Sequence, residues 1–335
     1  MTGSPPRHPE SAGNPLVVAV VLVYDRWDHL PRCLAALAAS SYPNLRVLVV
    51  DNGSAVPPPP DVAVRTAGFE TLRIPRNLGY AGGNNVGIRR ARELGAAHVL
   101  LVNDDAYVSP DVVAGLVAAM AADAAVAAAG PLVLYARRPG VIQSAGGLWD
   151  RRRLWNAHRG EEEPDRGQYP GILDADYVDG CCVLLRASAL GEAGLLDEGF
   201  FLYFEELELC HRLRDRGFRC VVVPSVRVEH EGGGVPAPRS AVSAYFSHRN
   251  RLRFLRMTSR GMARVAKTLR AVAMEAPAIR DLVRNPRDPW VRARVRGDLD
   301  GLRGVSGAGP AWIFGARTPP AEAPRPPRAP GPPSP

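Results

Sequence analysis

The stretch Leu16–Tyr24, LVVAVVLVY, is an unbroken apolar run rich in β-branched residues. A strand with one wet face alternates apolar and polar residues; a run without polar breaks marks a strand buried on both faces of a parallel sheet. The pattern downstream agrees. Leu30, Leu34 and Leu37 recur at helical spacing within His29–Ser40, and Arg46–Val50 (RVLVV) reads as a second strand that ends directly on Asp51-Asn52-Gly53-Ser54. After a Pro-rich loop come a short strand over Glu70–Ile74, a helix over Gly82–Leu94, and a strand over His98–Val102 ending on Asn103-Asp104-Asp105. This β-α-β-β-α-β order predicts right-handed crossovers and an α/β, mainly parallel, doubly wound sheet. Ligands bind beyond the C-terminal strand ends of such sheets, so Asp51 and Asp105 are expected to face one crevice.

The rest of the chain is less regular. Val112–Leu134 predicts a helix and then a strand, residues 137–176 read as loop-rich, and Tyr177–Arg186 reads as a strand. A helix over Phe204–Arg216 precedes strand signals at Arg219–Pro224 and Val226–His230. From Tyr245 to about Arg284 the pattern is helical and basic. Residues 1–15 and 316–335 are Pro-rich without apolar periodicity and are expected to be disordered tails.

Of the 335 residues, 46% are hydrophobic, enough for a substantial core. The net charge of +8 is unevenly spread. Residues 236–335 hold 19 Lys and Arg against 6 Asp and Glu, while residues 1–235 hold 23 against 28. A basic third of this kind suits nucleic acid, an anionic membrane surface or a phosphorylated substrate; the absence of any RNA- or DNA-binding motif argues against the first. Five cysteines without a CxxC pair suggest reduced thiols in a cytoplasmic protein. No signal-peptide or membrane-span pattern occurs.

Several segments could carry chemistry. Adjacent carboxylates beyond a buried strand, as in Asn103-Asp104-Asp105, suit a hard divalent cation that also holds a diphosphate, although the same residues serve as turns and helix caps. Asp51 could accept bonds from a nucleobase or ribose, or simply close an Asp-Asn-Gly turn. The glycine-dense Arg76–Gly87 loop could bring backbone N–H groups to phosphate at a helix N-terminus, or its glycines could simply form a tight turn. Glu205, Glu206 and Glu208 follow an aromatic run; acidic residues in a first turn are favoured by the helix dipole alone, while partial desolvation raises a carboxylate's pKa and strengthens it as a base. His230 stands after an apolar strand, where a histidine is either structural or a ligand.

Taken together, VVAVVLVYDR, LPRCLAAL, VVDNGS, RNLGYAGGNNVGI, LLVNDDA and the long segment from YVDGCC to VRVEH resemble the family-2 glycosyltransferases of the GT-A fold, in their rhamnosyltransferase-like branch, across residues 16–255. The resemblance implies a GT-A catalytic domain over 16–240, with a nucleotide half of about 16–110 and an acceptor half of about 130–240, then a basic helical extension over 241–315. It assigns the nucleotide sugar to Val23, Tyr24, Asp51, Arg76, Asn77, Gly79, Asn84 and Asp104, and the acceptor to Asp179 and Glu205. Asp105 matches the acid that holds a divalent metal, Mg²⁺ or Mn²⁺, and His230 the histidine that serves as a second metal ligand or as a diphosphate contact. Glu206 matches the catalytic base. The family commonly has Asp there and at Glu208, and one added methylene moves a carboxylate by roughly 1 Å.

The implied activity is metal-assisted, inverting transfer of a sugar from a nucleoside-diphospho-sugar to an acceptor hydroxyl. Rhamnose is the first expectation, with uridine-diphosphate sugars, including galactofuranose, as the other; the acceptor would be a glycan, a lipid-linked sugar or a small molecule. Arg249 and Asn250 in YFSHRNRLRFLR match the family's exit helix, expected to pack on the catalytic domain with solvated arginines, or else to meet an anionic acceptor or membrane face. Peripheral contact with the inner membrane surface through the basic C-terminal segment goes with that second reading. Two rival functions fit the sequence less well. A sugar-phosphate nucleotidyltransferase needs a glycine-rich basic loop after the first strand, unlike Tyr24-Asp25-Arg26-Trp27. A non-catalytic nucleotide-sugar-binding or scaffold protein of the same fold would have lost its chemistry at Glu206 and Glu208.

Overall fold

A computed structural model of the chain describes residues 13–232 and 240–314. The expected tails therefore lie outside the described residues except for 13–15, where the Asn14 and Pro15 carbonyls accept bonds from Asn44 and Tyr42.

The first half runs β1 (Val17–Val23), α1 (Leu30–Ala38), β2 (Leu45–Asp51), α2 (Pro60–Thr66), β3 (Glu70–Arg73), α3 (Gly79–Glu93) and β4 (His98–Asn103), the order the sequence predicts with α2 added. Then come β5 (Ala106–Val108), α4 (Val112–Ala122) and β6 (Val126–Tyr135), followed by short strands β7 (Ile142–Ser144), β8 (Gly147–Asp150), β9 (Trp155–His158) and β10 (Leu173–Asp174). The catalytic-looking segment holds β11 (Cys182–Arg186), α5 (Ala187–Ala193), α6 (Glu205–Asp215) and β12 (Arg219–His230). The described residues close with four α-helices, α7 (Ala241–Thr258), α8 (Gly261–Ala273), α9 (Ala276–Arg284) and α10 (Pro289–Arg303), and a 3-10 turn at Ala311–Phe314.

The main sheet runs β10-β12-β6-β11-β4-β1-β2-β3, with β5 on β12 and β7 on β6. Strands β4, β1, β2 and β3 are parallel, as are β6 and β12, while β11 runs antiparallel between β4 and β6. Val17, Ala19 and Val21 feed one hydrophobic core with α1 and α4, and Val18 and Val20 feed the other with α3, α5 and α6. Burial on alternating sides is why β1 carries no polar residue.

Four readings of the sequence need correction. Helix α2 was missed because Pro57–Pro60 reads as loop, yet proline is favoured in a helix's first turn. Residues 177–181 are not part of the strand: Tyr177 makes an isolated β-bridge with Gly147, and a turn at 180–181 leads into β11, with Cys182 N donating to the Asp179 carbonyl at 3.3 Å. Residues 137–176 contain the β8–β9 hairpin. The two expected strands at 219–230 are one, bulged between Val223 and Arg227.

Helix α3 begins at Gly79, three residues before the predicted start, and most of the glycine-dense loop is helical. The helix lies very close to the sheet: a Cβ at Gly87 would run into Val20. Gly79 has φ +75°, and a Cβ there would strike the Phe201 carbonyl. These glycines serve close packing. The N–H groups expected for phosphate are also engaged by the chain itself: Leu78 N donates to Asn52 Oδ1 at 3.0 Å and Gly79 N to Asn77 Oδ1 at 2.7 Å.

Candidate active site

At the C-terminal edge of the sheet, Val23 pairs with Asp51 and Leu22 with Asn103. With neighbouring strands about 4.8 Å apart, Asp51 and Asn103 stand about 10 Å from one another across the end of β1. Asp51 is buried. Its Oδ1 accepts from Ser54 N at 2.8 Å, and Arg73 Nε approaches Oδ2 at 3.4 Å. Val23 and the half-buried Tyr24 border it. Arg76 passes directly behind Gly53. Asn77 bonds Asn52 at 3.1 Å. Asn84 donates to the Tyr80 carbonyl at 3.0 Å, and no described protein group bonds its buried Oδ1. Asn77, Gly79 and Asn84 thus brace the first turn of α3 beside Asp51.

Asp104 and Asp105 follow β4. Both are buried and carry opposite shifts. Burial first, and then the charge of Asp105, pushes the Asp104 carboxyl up to about 7. Burial also works against ionised Asp105, but the hydrogen bond and charge of His230, then Arg26, hold it well below the usual carboxylate range. Asp105 Oδ1 lies 3.2 Å from His230 Nε2, and Oδ2 accepts from Arg26 Nη2 at 2.9 Å. Strand β12 delivers His230 by pairing it with Ala106. Gln143 Oε1, on β7, lies 3.1 Å from His230 Nδ1 and orients the ring.

This donor set fits a divalent cation. Two ligands cis on an octahedral ion at about 2.1 Å stand roughly 3 Å apart, close to the observed oxygen–nitrogen spacing. A histidine whose other ring nitrogen is held by a side-chain acceptor is the usual arrangement around a bound metal. A second His–carboxylate cluster, His248, Glu275 and Asp298, lies among the C-terminal helices. There both Glu275 oxygens bond guanidinium groups, Arg251 at 2.8 Å and Arg294 at 2.7 Å, so its charge is already matched and the cluster clasps α7 to α10.

The turn before β11 is tied to the end of β4, where Asn103 N donates to the Cys181 carbonyl at 3.0 Å, and it brings Asp179 within the field of His230. Although burial opposes it, the bond and charge of His158, 3.2 Å away, lower the Asp179 pKa. His158 is raised to about 9: burial works against this, and Asp179 outweighs it. Glu206, in the first turn of α6, lies within the fields of both groups. Burial raises it to about 7, helped by the charge of Asp179 and opposed by its backbone bond and by His158. No described group bonds Glu206 Oε2. Glu205 is driven well above the normal range, by burial and then by Glu206. Glu208 stands apart, buried and paired with Arg212 at 2.7 Å, so the added methylene at that position extends a structural ion pair.

The lead-in to α6 is unusual. Phe201, Tyr203 and Phe204 all have φ between 65° and 77°, a left-handed conformation that non-glycine residues rarely adopt and that clusters at functional sites. Arg249 and Asn250 hold it. Asn250 Nδ2 donates to the carbonyls of Phe200, Leu202 and Tyr203 at 2.7–2.9 Å. Arg249 Nη2 donates to the Phe200 carbonyl at 2.6 Å, and its Nε to Asn250 Oδ1 at 2.9 Å. Both side chains are fully buried. They are neither solvated nor open to an acceptor or membrane; they fix the backbone that presents Glu205 and Glu206.

The structure thus gathers Asp104, Asp105, His230, Asp179, Glu205 and Glu206 into one region, with Asp51 and its α3 neighbours along the same sheet edge. Arg26, Gln143 and His158 were missed: nothing in their local sequence marks them, and only tertiary contact reveals them. All five cysteines are free and buried. No described helix is long and apolar enough to cross a membrane.

Residues 18–192 match the family model described as glycosyl transferase family 2. Over 233 residues the chain is 30% identical to the N-acetylglucosaminyl-diphospho-decaprenol L-rhamnosyltransferase of Mycobacterium tuberculosis, a match covering 63% of this chain and 74% of that protein. The mannosyltransferase PcManGT from Pyrobaculum calidifontis, solved with GDP-Man and Mn²⁺, superposes with a TM-score of 0.54 at 15% identity, over 88% of this chain and 89% of its own. GalNAc-T7, solved with UDP, GalNAc and Mn²⁺, gives 0.57 at 16% identity over 73% of this chain, which spans about half (48%) of GalNAc-T7. Both structures share the GT-A-like fold seen here.

Proposed function

The chain belongs to glycosyl transferase family 2, and from that membership we propose that it moves a sugar from a nucleoside-diphospho-sugar to an acceptor hydroxyl, inverting the anomeric centre. Residues 16–240 would carry the chemistry, and the helices from α7 onward would brace it. The observation that carries the reading is the convergence of the Asp105–His230 pair, 3.2 Å apart, with a desolvated Glu206 carboxylate bonded at Oε2 by no described group.

Asp51 would take the base or ribose of the donor, beside Val23, Tyr24 and the Asn77–Asn84 turn. Asp105 and His230 would hold Mg²⁺ or Mn²⁺, which supplies positive charge against the diphosphate leaving group. Glu206 removes the acceptor's hydroxyl proton as that oxygen attacks. A carboxyl with a pKa of about 7 matches this task near neutrality, because it is ionised often enough to act and basic enough to accept. Asp179, held ionised by His158, and Glu205 would face the acceptor. L-Rhamnose and a polyprenyl-diphospho-linked acceptor are the first candidates, by likeness to the mycobacterial relative, whose name states both.

The test is release of nucleoside diphosphate from a panel of nucleotide sugars, with and without Mn²⁺ or Mg²⁺. Metal-dependent release from one donor, abolished in Asp105→Ala, supports the proposal. Silence across the panel, with no metal-assisted nucleotide binding by calorimetry, sinks it and leaves a non-catalytic role.

A further inference from the structure

Helices α8 and α9 are joined to the body by very little. Ala271 is the one buried residue of α8 and Ala278 the one buried residue of α9. Val272 and Leu282 are half-buried, and the other larger apolar side chains are exposed. Met262 is 80% exposed, Leu269 65% and Val283 78%, with Val265 and Ile279 about half exposed. Spacings of three and four residues place Met262, Val265 and Leu269 on one side of α8, and Ile279 and Val283 on one side of α9. A soluble surface scatters such residues singly; a contiguous stripe marks a contact.

The surroundings of the stripe identify the partner. From Arg256 to Arg287 there are eight Lys and Arg against two acidic residues, Glu275 and Asp281, and Glu275 is buried against Arg251 and Arg294. Arg260, Arg264, Arg280, Arg284 and Arg287 make no ion pair with any described residue. A second copy of the chain would bring like charge against like, and an uncharged apolar partner would leave these guanidinium groups unmatched. A surface that is both apolar and anionic satisfies both features. We propose that α8 and α9 form a docking face for an anionic lipid bilayer, lying in the headgroup region with Met262, Val265, Leu269, Ile279 and Val283 inserted and the arginines against lipid phosphates. The helices span 13 and 9 residues, too short to cross a bilayer. This face is distinct from the Arg249–Asn250 part of α7, which is buried. The inference does not depend on the identity of the sugar or on turnover.

The experiment is flotation of the full chain with vesicles of phosphatidylcholine alone and of phosphatidylcholine mixed with phosphatidylglycerol. We expect capture by the mixed vesicles only, reduced roughly tenfold by Met262→Asp with Leu269→Asp, and similarly by Arg264→Glu with Arg280→Glu. Met262 is so exposed that Met262→Asp alone cannot unfold the chain, and thermal melting of each variant checks the rest. Three results would overturn the proposal: equal capture by neutral vesicles, capture insensitive to the apolar substitutions, or a vesicle-free dimer that Leu269→Asp dissociates.

Discussion

Glu206 shows how much a single carboxylate's surroundings decide. Burial raises its pKa to about 7, so below that pH it is protonated and idle as a base. The rate of transfer should therefore rise with pH through about 7, read from kcat/KM at saturating metal. The partner effect at His158 has the opposite sign. Its folded pKa, raised to about 9 by Asp179, gives stability that is complete below its unfolded value near 6.5 and is lost as pH rises through about 9. The difference in melting temperature between parent and His158→Gln should shrink over that window. That Asp105, His230 and Glu206 fall at or just beyond the ends of strands and helices was legible in the sequence, whereas the roles proposed for them come from the family resemblance. His158 and Gln143 were not legible, because nothing local distinguishes them.

At the scale of elements, the most informative contact is α7 against the aromatic turn before α6. The amide of Asn250 holds three carbonyls of a left-handed backbone. In Asn250→Ala those carbonyls lose their donor, at a cost of about 1–3 kcal/mol, and the turn relaxes. We expect kcat to fall roughly tenfold or more with donor KM unchanged, and Asn250→Gln to recover part of the loss; a fall in stability alone would mean the turn only holds the fold. Sequence periodicity located α6 and α7, and could not place one on the other. The same limit misread α3. Its glycines suggested a phosphate loop, whereas Gly87 lets the helix settle onto Val20, a requirement that arises only once the sheet exists.

For the whole molecule, the buried run at 16–24 and the order of elements made the α/β architecture readable, while the antiparallel insertion of β11 and the clasp among α7, α9 and α10 follow from contacts far apart in sequence. In Glu275→Ala the buried Arg251 guanidinium loses its 2.8 Å partner, and we expect a loss of about 3–5 kcal/mol in urea unfolding. Donor hydrolysis by the molecules that remain folded should be unaffected, since the clasp touches none of the site carboxylates. The proposed chemistry rests on one group. The decisive measurement is the rate of sugar transfer at saturating donor for Glu206→Gln against the parent, with nucleotide affinity measured on the same samples. A fall of roughly 10²-fold or more with affinity held within about twofold is the expected result; transfer within about threefold of the parent would contradict Glu206 as the base.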